Sequence, residues 1–117
     1  MDLELDVSIN EFFEVLKRLG FKYINIRAHE LEAKKYTKYG RLHVLARELS
    51  DRKLYVDIHW DFIIHFLMLG TDYSKRPKEL CCQVIKEVKK MSRSFRVIGG
   101  YNWFSRRNKA LIRGLRL

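Results

Sequence analysis

The feature that most constrains the fold is a strict alternation of apolar and polar residues between positions 54 and 62. Leu54, Val56, Ile58, Trp60 and Phe62 occupy every second position, and Tyr, Asp, His and Asp fill the positions between them. Because successive side chains of a β-strand point to opposite faces, this period of two predicts a strand with one apolar and one polar face. The apolar face must be covered, so we expect a sheet packed against helices.

Similar alternations predict the neighbouring strands. Apolar and polar residues also alternate over 42–47, and the turn residues at 50–52 connect that segment to 53–62, which predicts a β-hairpin. The other predicted strands are 21–31, 95–98 and, as a continuation of the hairpin strand or as a strand of its own, 63–69.

Two helices are predicted from their ends and their apolar spacing. Ser8 and Glu11 form a capping-box pattern, an apolar stripe at helical spacing follows, and Gly20 supplies a stop, which predicts a helix over 8–19. Pro77 suits a first helical turn and precedes the apolar stripe of a second helix over 76–92. A short basic helix is predicted over 105–115.

These elements predict an α+β fold with the order α-β-β-β-(β)-α-β-α. Consecutive strands joined by short turns favour an antiparallel meander sheet of three to five strands, with the helices packed on one face. A length of 117 residues suits a single domain, 1–117, whose C-terminal segment 101–117 is basic and contains aromatic residues.

The order αβββα resembles that of double-stranded-RNA-binding domains. Gly40-Arg41-Leu42-His43 resembles that family's loop-histidine motif, and Ser74-Lys75-Arg76 resembles the basic start of its second helix. The family's proline before the histidine is absent here, and its small-residue run at the helix start is missing. We therefore do not assign the chain to that family.

The sequence carries no pattern of export. Asp2, Glu4 and Asp6 stand where a secretory signal would be basic and apolar, and the longest apolar stretch, 62–69, is too short to span a membrane. Cys81 and Cys82 are adjacent, a spacing that disfavours a disulfide between them. We expect a soluble, intracellular (cytoplasmic) protein. A single Gln and many Lys, Arg and Ile fit a source in a hot environment.

Charge is the strongest indication of function. The formal net charge is +10, and residues 1–15 contain five acidic residues and no Lys or Arg, so the remainder carries +15. Such an excess attracts polyanions, because each phosphate that Lys or Arg neutralises releases counterions. Nucleic acid is the interpretation we favour, ahead of an acidic protein or an anionic lipid surface.

Aromatic residues among the cations favour single-stranded DNA or RNA, since aromatic rings stack on unpaired bases. Residues 34–41 are predicted to form an exposed basic loop. A cationic stripe is expected on the second helix, and further contacts are expected in the C-terminal segment. The predicted contact residues are Lys34, Lys35, Tyr36, Lys38, Tyr39, Arg41, Lys86, Lys89, Arg93, Trp103, Arg106 and Arg107.

One polar cluster offers an alternative. Asp57, His59 and Asp61 share the polar face of the predicted strand, and a hairpin register that pairs Arg47 with Asp57 places His43 opposite Asp61. Imidazole and carboxylate ligands can hold a divalent metal that activates water, which suggests a metal-dependent nuclease. The competing interpretation, which we favour at this point, is an ordinary solvated polar face with no metal or other cofactor.

A third hypothesis is that the chain is a basic subunit of a larger nucleoprotein assembly. Its acidic N-terminal segment would then contact a basic protein partner, or a second copy of the chain.

Overall fold

A computed structural model describes residues 1–64, 67–72 and 75–99 of the chain. The elements in chain order are β1 (Asp2–Leu5), α1 (Ile9–Arg18), β2 (Tyr23–Arg27), β3 (Glu30–Thr37), β4 (Gly40–Ser50), β5 (Lys53–Ile64), β6 (Leu67–Asp72), α2 (Lys75–Lys90) and β7 (Phe95–Gly99).

The strands form one antiparallel sheet in the order β2-β3-β4-β5-β1-β7. The long strand β5 is its centre, because β1 pairs with residues 54–57 of β5 and β6 pairs with residues 60–64. The predicted α+β class with an antiparallel sheet is therefore confirmed. The described part of the sheet has seven strands rather than three to five.

Both helices pack on the apolar face of the sheet. Phe12, Val15 and Leu16 of α1 are buried there together with Val84 and Val88 of α2. The alternate residues of the inner strands complete this core; they are Leu3, Leu5, Leu31, Ala33, Val44, Ala46, Leu54, Val56 and Ile58. The apolar alternation of β5 thus has the role that the sequence predicts.

The start of α1 confirms the predicted capping box. The Glu11 backbone N–H donates to Ser8 Oγ at 3.1 Å, and the Ser8 backbone N–H donates to Glu11 Oε1 at 3.0 Å. This backbone hydrogen bond from Ser8 is the largest influence that lowers the pKa of the Glu11 carboxyl. The two bonds satisfy N–H groups that a helix start leaves without intrahelical partners.

The structure corrects the sequence-based elements in three places. The acidic N-terminal segment includes a strand, β1, between β5 and β7, because Leu3 and Leu5 fill the core while Asp2 and Glu4 point to the other face. The single strand predicted over 21–31 is β2 and the start of β3, which are separated by a two-residue turn with Ala28 at φ 49°.

The third correction concerns the predicted basic loop 34–41. These residues form the end of β3 and the start of β4, and only Lys38 and Tyr39 lie in the turn between the paired residues Thr37 and Gly40. The inward positions that follow Leu31 and Ala33 are Lys35 and Thr37, so the apolar alternation stops and pairing with β4 alone extends the strand to Thr37.

No helix among the described residues is both long enough and apolar enough to cross a lipid bilayer.

Candidate functional site

The polar face of the sheet brings together the four residues predicted as weak metal-ligand candidates. His59 lies opposite His43 on β4, and Asp61 lies opposite Arg41. The register differs by two residues from the predicted one, since Arg47 pairs with Tyr55 and not with Asp57. The turn is tighter than expected, because only Asp51 and Arg52 separate β4 from β5 after an irregularity near residue 48.

This part of the polar face is buried, so the expected solvated face is wrong here. His43, Asp57, His59 and Asp61 all have less than a tenth of their surface exposed, from 2% to 8%. They lie on β4 and β5, where β5 is flanked by β4 on one side and by β1 and then β6 on the other. Buried polar groups are costly unless hydrogen-bonded, and these four bond to one another and to their neighbours.

Two carboxylates fix the orientation of the two histidines. Glu32 Oε2 lies 2.9 Å from His43 Nε2, and Asp57 Oδ2 lies 2.7 Å from His59 Nδ1. An ionised carboxylate only accepts hydrogen bonds, so each of these ring nitrogens carries the proton and donates it. In the neutral imidazoles the remaining nitrogens, His43 Nδ1 and His59 Nε2, therefore present lone pairs.

Those two nitrogens face each other and a third carboxylate. His43 Nδ1 lies 3.0 Å from His59 Nε2. Asp61 is 3.3 Å from both, through Oδ2 to His43 and through Oδ1 to His59. Their potential ligand atoms lie within 4.8 Å of one another. We call His43, His59 and Asp61 the inner triad.

The surrounding charges hold Asp61 ionised. Burial works to raise the pKa of Asp61, but its polar contacts with His43, His59 and Arg41 outweigh burial and keep that pKa well below its usual range. Arg41 Nε donates to Asp61 Oδ2 at 2.9 Å. For His59, burial works to lower the pKa, and the hydrogen bonds with Asp57 and Asp61 outweigh it and raise the pKa.

A further carboxylate pair extends this polar layer onto β1. Asp2 lies opposite Asp57 in the sheet, and the Tyr55 hydroxyl donates to Asp2 Oδ2 at 2.6 Å. The second oxygen of Asp57, Oδ1, is buried and has no hydrogen-bond partner among the described residues. Negative charge is thus concentrated around the two histidines.

Imidazole and carboxylate ligands in such an arrangement suit a divalent cation, and a bound cation of this kind can activate water for phosphodiester hydrolysis. The ligand side chains are nearly closed to solvent. Counting side-chain atoms alone, 11% of the His43 surface and 4% of the His59 and Asp61 surfaces are exposed. Access for a polymeric substrate is therefore restricted, which makes the nuclease hypothesis less well supported than metal binding alone.

The predicted nucleic-acid contacts of the β3–β4 hairpin divide between the two faces of the sheet. Lys34, Tyr36 and Arg41 share the polar face, whereas Lys35 lies on the helix side and donates from Nζ to the Leu19 carbonyl at 3.0 Å. Lys38 lies in the turn, with its Nζ 5.2 Å from the centre of the Tyr39 ring. Arg41 is engaged by Asp61, so its guanidinium is only in part available to a phosphate.

Tyr23 is a candidate that the sequence reasoning missed. It lies on the edge strand β2, opposite Lys34, with 62% of its surface exposed. Its ring packs edge-on against Tyr36, with the ring centres 5.4 Å apart, and Tyr36 is itself 57% exposed. Tyr23 is two residues from Asn25 and four from Arg27, so the predicted strand 21–31 already placed it on a polar face; this spacing was the signal that could have identified it. We use the name tyrosine strip for Tyr23 and Tyr36 together with Tyr39, which is 50% exposed in the turn between β3 and β4.

The remaining predicted contacts lie elsewhere. Lys86 and Lys89 are exposed on α2, which packs on the opposite, apolar face of the sheet. Arg93 Nη2 forms an ion pair with Glu11 at 3.3 Å. The structure therefore does not join the α2 stripe to the tyrosine strip. Trp103, Arg106 and Arg107, with the rest of segment 101–117, lie outside the described residues.

Comparison with known proteins identifies no relative. No protein-family model matches the chain, and no curated protein or solved structure is significantly similar to it.

Proposed function

We propose that this chain binds single-stranded nucleic acid, with the tyrosine strip stacking on unpaired bases and the neighbouring lysines contacting phosphates. The observation that carries the proposal is the pair Tyr23 and Tyr36, two large rings that are more than half exposed and pack against each other outside the core. Large aromatic side chains are usually buried, so exposed rings at one edge of a sheet favour a binding role.

The surroundings of the strip support this role. Lys34 lies opposite Tyr23 on the same face, and Lys38 lies beside Tyr39 at the end of the hairpin. Cations next to exposed rings form the arrangement with which single-strand binders hold backbone and bases together. Sheet surfaces that display aromatic rings are also a known platform for RNA recognition. The net charge of +10 adds long-range attraction for any polyanion.

The test is a fluorescence-anisotropy titration of labelled oligonucleotides with the wild type and with Tyr23→Ala, Tyr36→Ala and Tyr39→Ala. Stacking contributes about 1–3 kcal/mol per base, so each lost ring should weaken single-strand binding by about 5- to 150-fold. Duplex binding should change less, because paired bases offer no free face. DNA and RNA strands of the same sequence would be compared in the same series.

Leu49→Ala is the matched control, since Leu49 is an equally exposed apolar side chain at the far end of β4. It should leave the affinity unchanged. Melting temperatures measured alongside should stay close to that of the wild type for all four variants. Equal affinity of the wild type and the tyrosine variants would exclude the strip as a binding surface.

A further inference from the structure

We propose that the inner triad, His43, His59 and Asp61, is a binding site for one divalent transition-metal ion of the zinc class. The proposal concerns the buried centre of the polar face and is independent of the tyrosine strip. Two imidazole nitrogens and one carboxylate converge there, and the ligand types select Zn²⁺, Co²⁺ or a similar ion over Mg²⁺ or Ca²⁺, which prefer oxygen ligands.

The spacing of the three groups fits a metal of this size. Zinc bonds to nitrogen and oxygen ligands are about 2.0–2.1 Å, which separates neighbouring ligand atoms by about 3.3 Å in a tetrahedron and by about 3.0 Å in an octahedron. The closest contacts within the inner triad are 3.0 Å between His43 and His59, 3.3 Å between His43 and Asp61, and 3.3 Å between His59 and Asp61. The two Asp61 contacts run to different oxygens, Oδ2 towards His43 and Oδ1 towards His59, so Asp61 would bind the shared ion through both oxygens or after a rotation of its carboxylate.

The proton positions on the histidines give a second, independent reason. Glu32 and Asp57 each accept the N–H of one ring, at 2.9 and 2.7 Å. This is the usual arrangement around metal-bound histidines, in which an outer carboxylate fixes the tautomer and makes the inner nitrogen a better ligand. The two inner nitrogens then carry lone pairs only 3.0 Å apart, and a cation bound to both relieves their mutual repulsion.

A third reason is the distribution of charge. Asp57 and Asp61 are both buried beside the rings, and Arg41 Nε donates to Asp61. Asp57 Oδ1 is buried without a hydrogen-bond partner among the described residues. With both imidazoles neutral, Arg41 balances the charge of only one of the two carboxylates, and a divalent ion at the inner triad offsets the cost of burying the other. The competing arrangement is a proton shared between the two imidazoles in place of the metal.

The experiment uses the full chain after treatment with a chelator. Zn²⁺ binding is measured by isothermal titration calorimetry, and Co²⁺ binding by its visible absorption, which reports coordination by nitrogen and oxygen ligands. We expect one ion per chain, a higher melting temperature in the presence of Zn²⁺, and no displacement by excess Mg²⁺. A folded wild type that binds neither ion would overturn the proposal in favour of the shared proton.

The variants locate the site. His43→Asn and His59→Asn should abolish binding, whereas His29→Asn, which changes an exposed histidine paired with Glu48, should bind like the wild type. Because the buried variants can fail to fold, Glu32→Ala serves as a second probe. The Glu32 side chain is 41% exposed and accepts a hydrogen bond from His43 Nε2, the nitrogen that faces away from the proposed metal. Its removal should weaken metal affinity by about 10- to 100-fold in a folded protein. An unchanged affinity in folded Glu32→Ala would contradict the proposal.

Discussion

Gly40 is the first residue of β4 and lies close against β5, and its replacement by alanine should destabilise the protein. A Cβ atom at this position would lie 2.7 Å from the Trp60 ring and closer still to the backbone carbonyl oxygen of Asp61. Carbon atoms in contact normally stay about 3.5–4.0 Å apart, so β4 would have to move away from β5. Overpacking of this kind costs about 1–3 kcal/mol, which for a domain of this size lowers the melting temperature by about 5–20 °C.

The assay is thermal unfolding followed by far-UV circular dichroism, with Gly70→Ala as the matched control. Gly70 also lies in a strand paired with β5, but an added Cβ there meets no atom within 4 Å. Its replacement should leave the melting temperature unchanged or slightly higher, because alanine loses less backbone entropy on folding. If Gly40→Ala melted together with Gly70→Ala, the described approach of β4 to Trp60 and Asp61 would be incorrect.

Two further predictions concern α1 and α2. The pKa of Glu11 is lower in the folded protein than its unfolded value of 4.5, so its contribution to stability is present above pH 4.5 and is lost as the pH falls through the folded value. The unfolding free energy of Glu11→Gln should therefore decrease less in acid than that of the wild type. Equal decreases for the two proteins would contradict this. Burial, together with the neighbouring Cys82, raises the pKa of the Cys81 thiol to about 11. At pH 8 a thiol reagent should therefore modify the exposed Cys82 in the native protein, and it should modify Cys81 only after unfolding. Rapid modification of both thiols in the native protein would show that α2 is not packed as described.

Local patterns predicted the elements whose determinants lie within a few residues. The capping box at Ser8 and Glu11 identified α1, and the alternation from Leu54 to Phe62 identified β5 and its apolar face. β1 was not predicted, because its four residues give too short an alternation and its acidic residues suggested a polar segment leading into the helix. Its place between β5 and β7 depends on pairing with β5 residues that are 49 to 55 positions away.

The candidate site was only partly predictable for the same reason. A period of two places Asp57, His59 and Asp61 on one face, but it does not say whether that face is open to solvent. Their surroundings depend on long-range pairing, because β5 is flanked by β4 on one side and by β1 and then β6 on the other. The roles of Glu32 and Tyr23 depend on the long-range order of β2, β3 and β4, and no pattern within one segment contains that information.

The central claim is that the basic charge and the tyrosine strip serve nucleic-acid binding, and the salt dependence of binding tests it most directly. Anisotropy titrations with a single-stranded oligonucleotide would be run between about 50 and 200 mM salt, a range over which proteins with several phosphate contacts lose roughly a thousandfold in affinity. We predict a steep decrease of that order, with a shallower slope for Lys34→Ala and Lys38→Ala. An affinity that stays constant across the range would contradict the account and would favour the role of a protein-binding subunit.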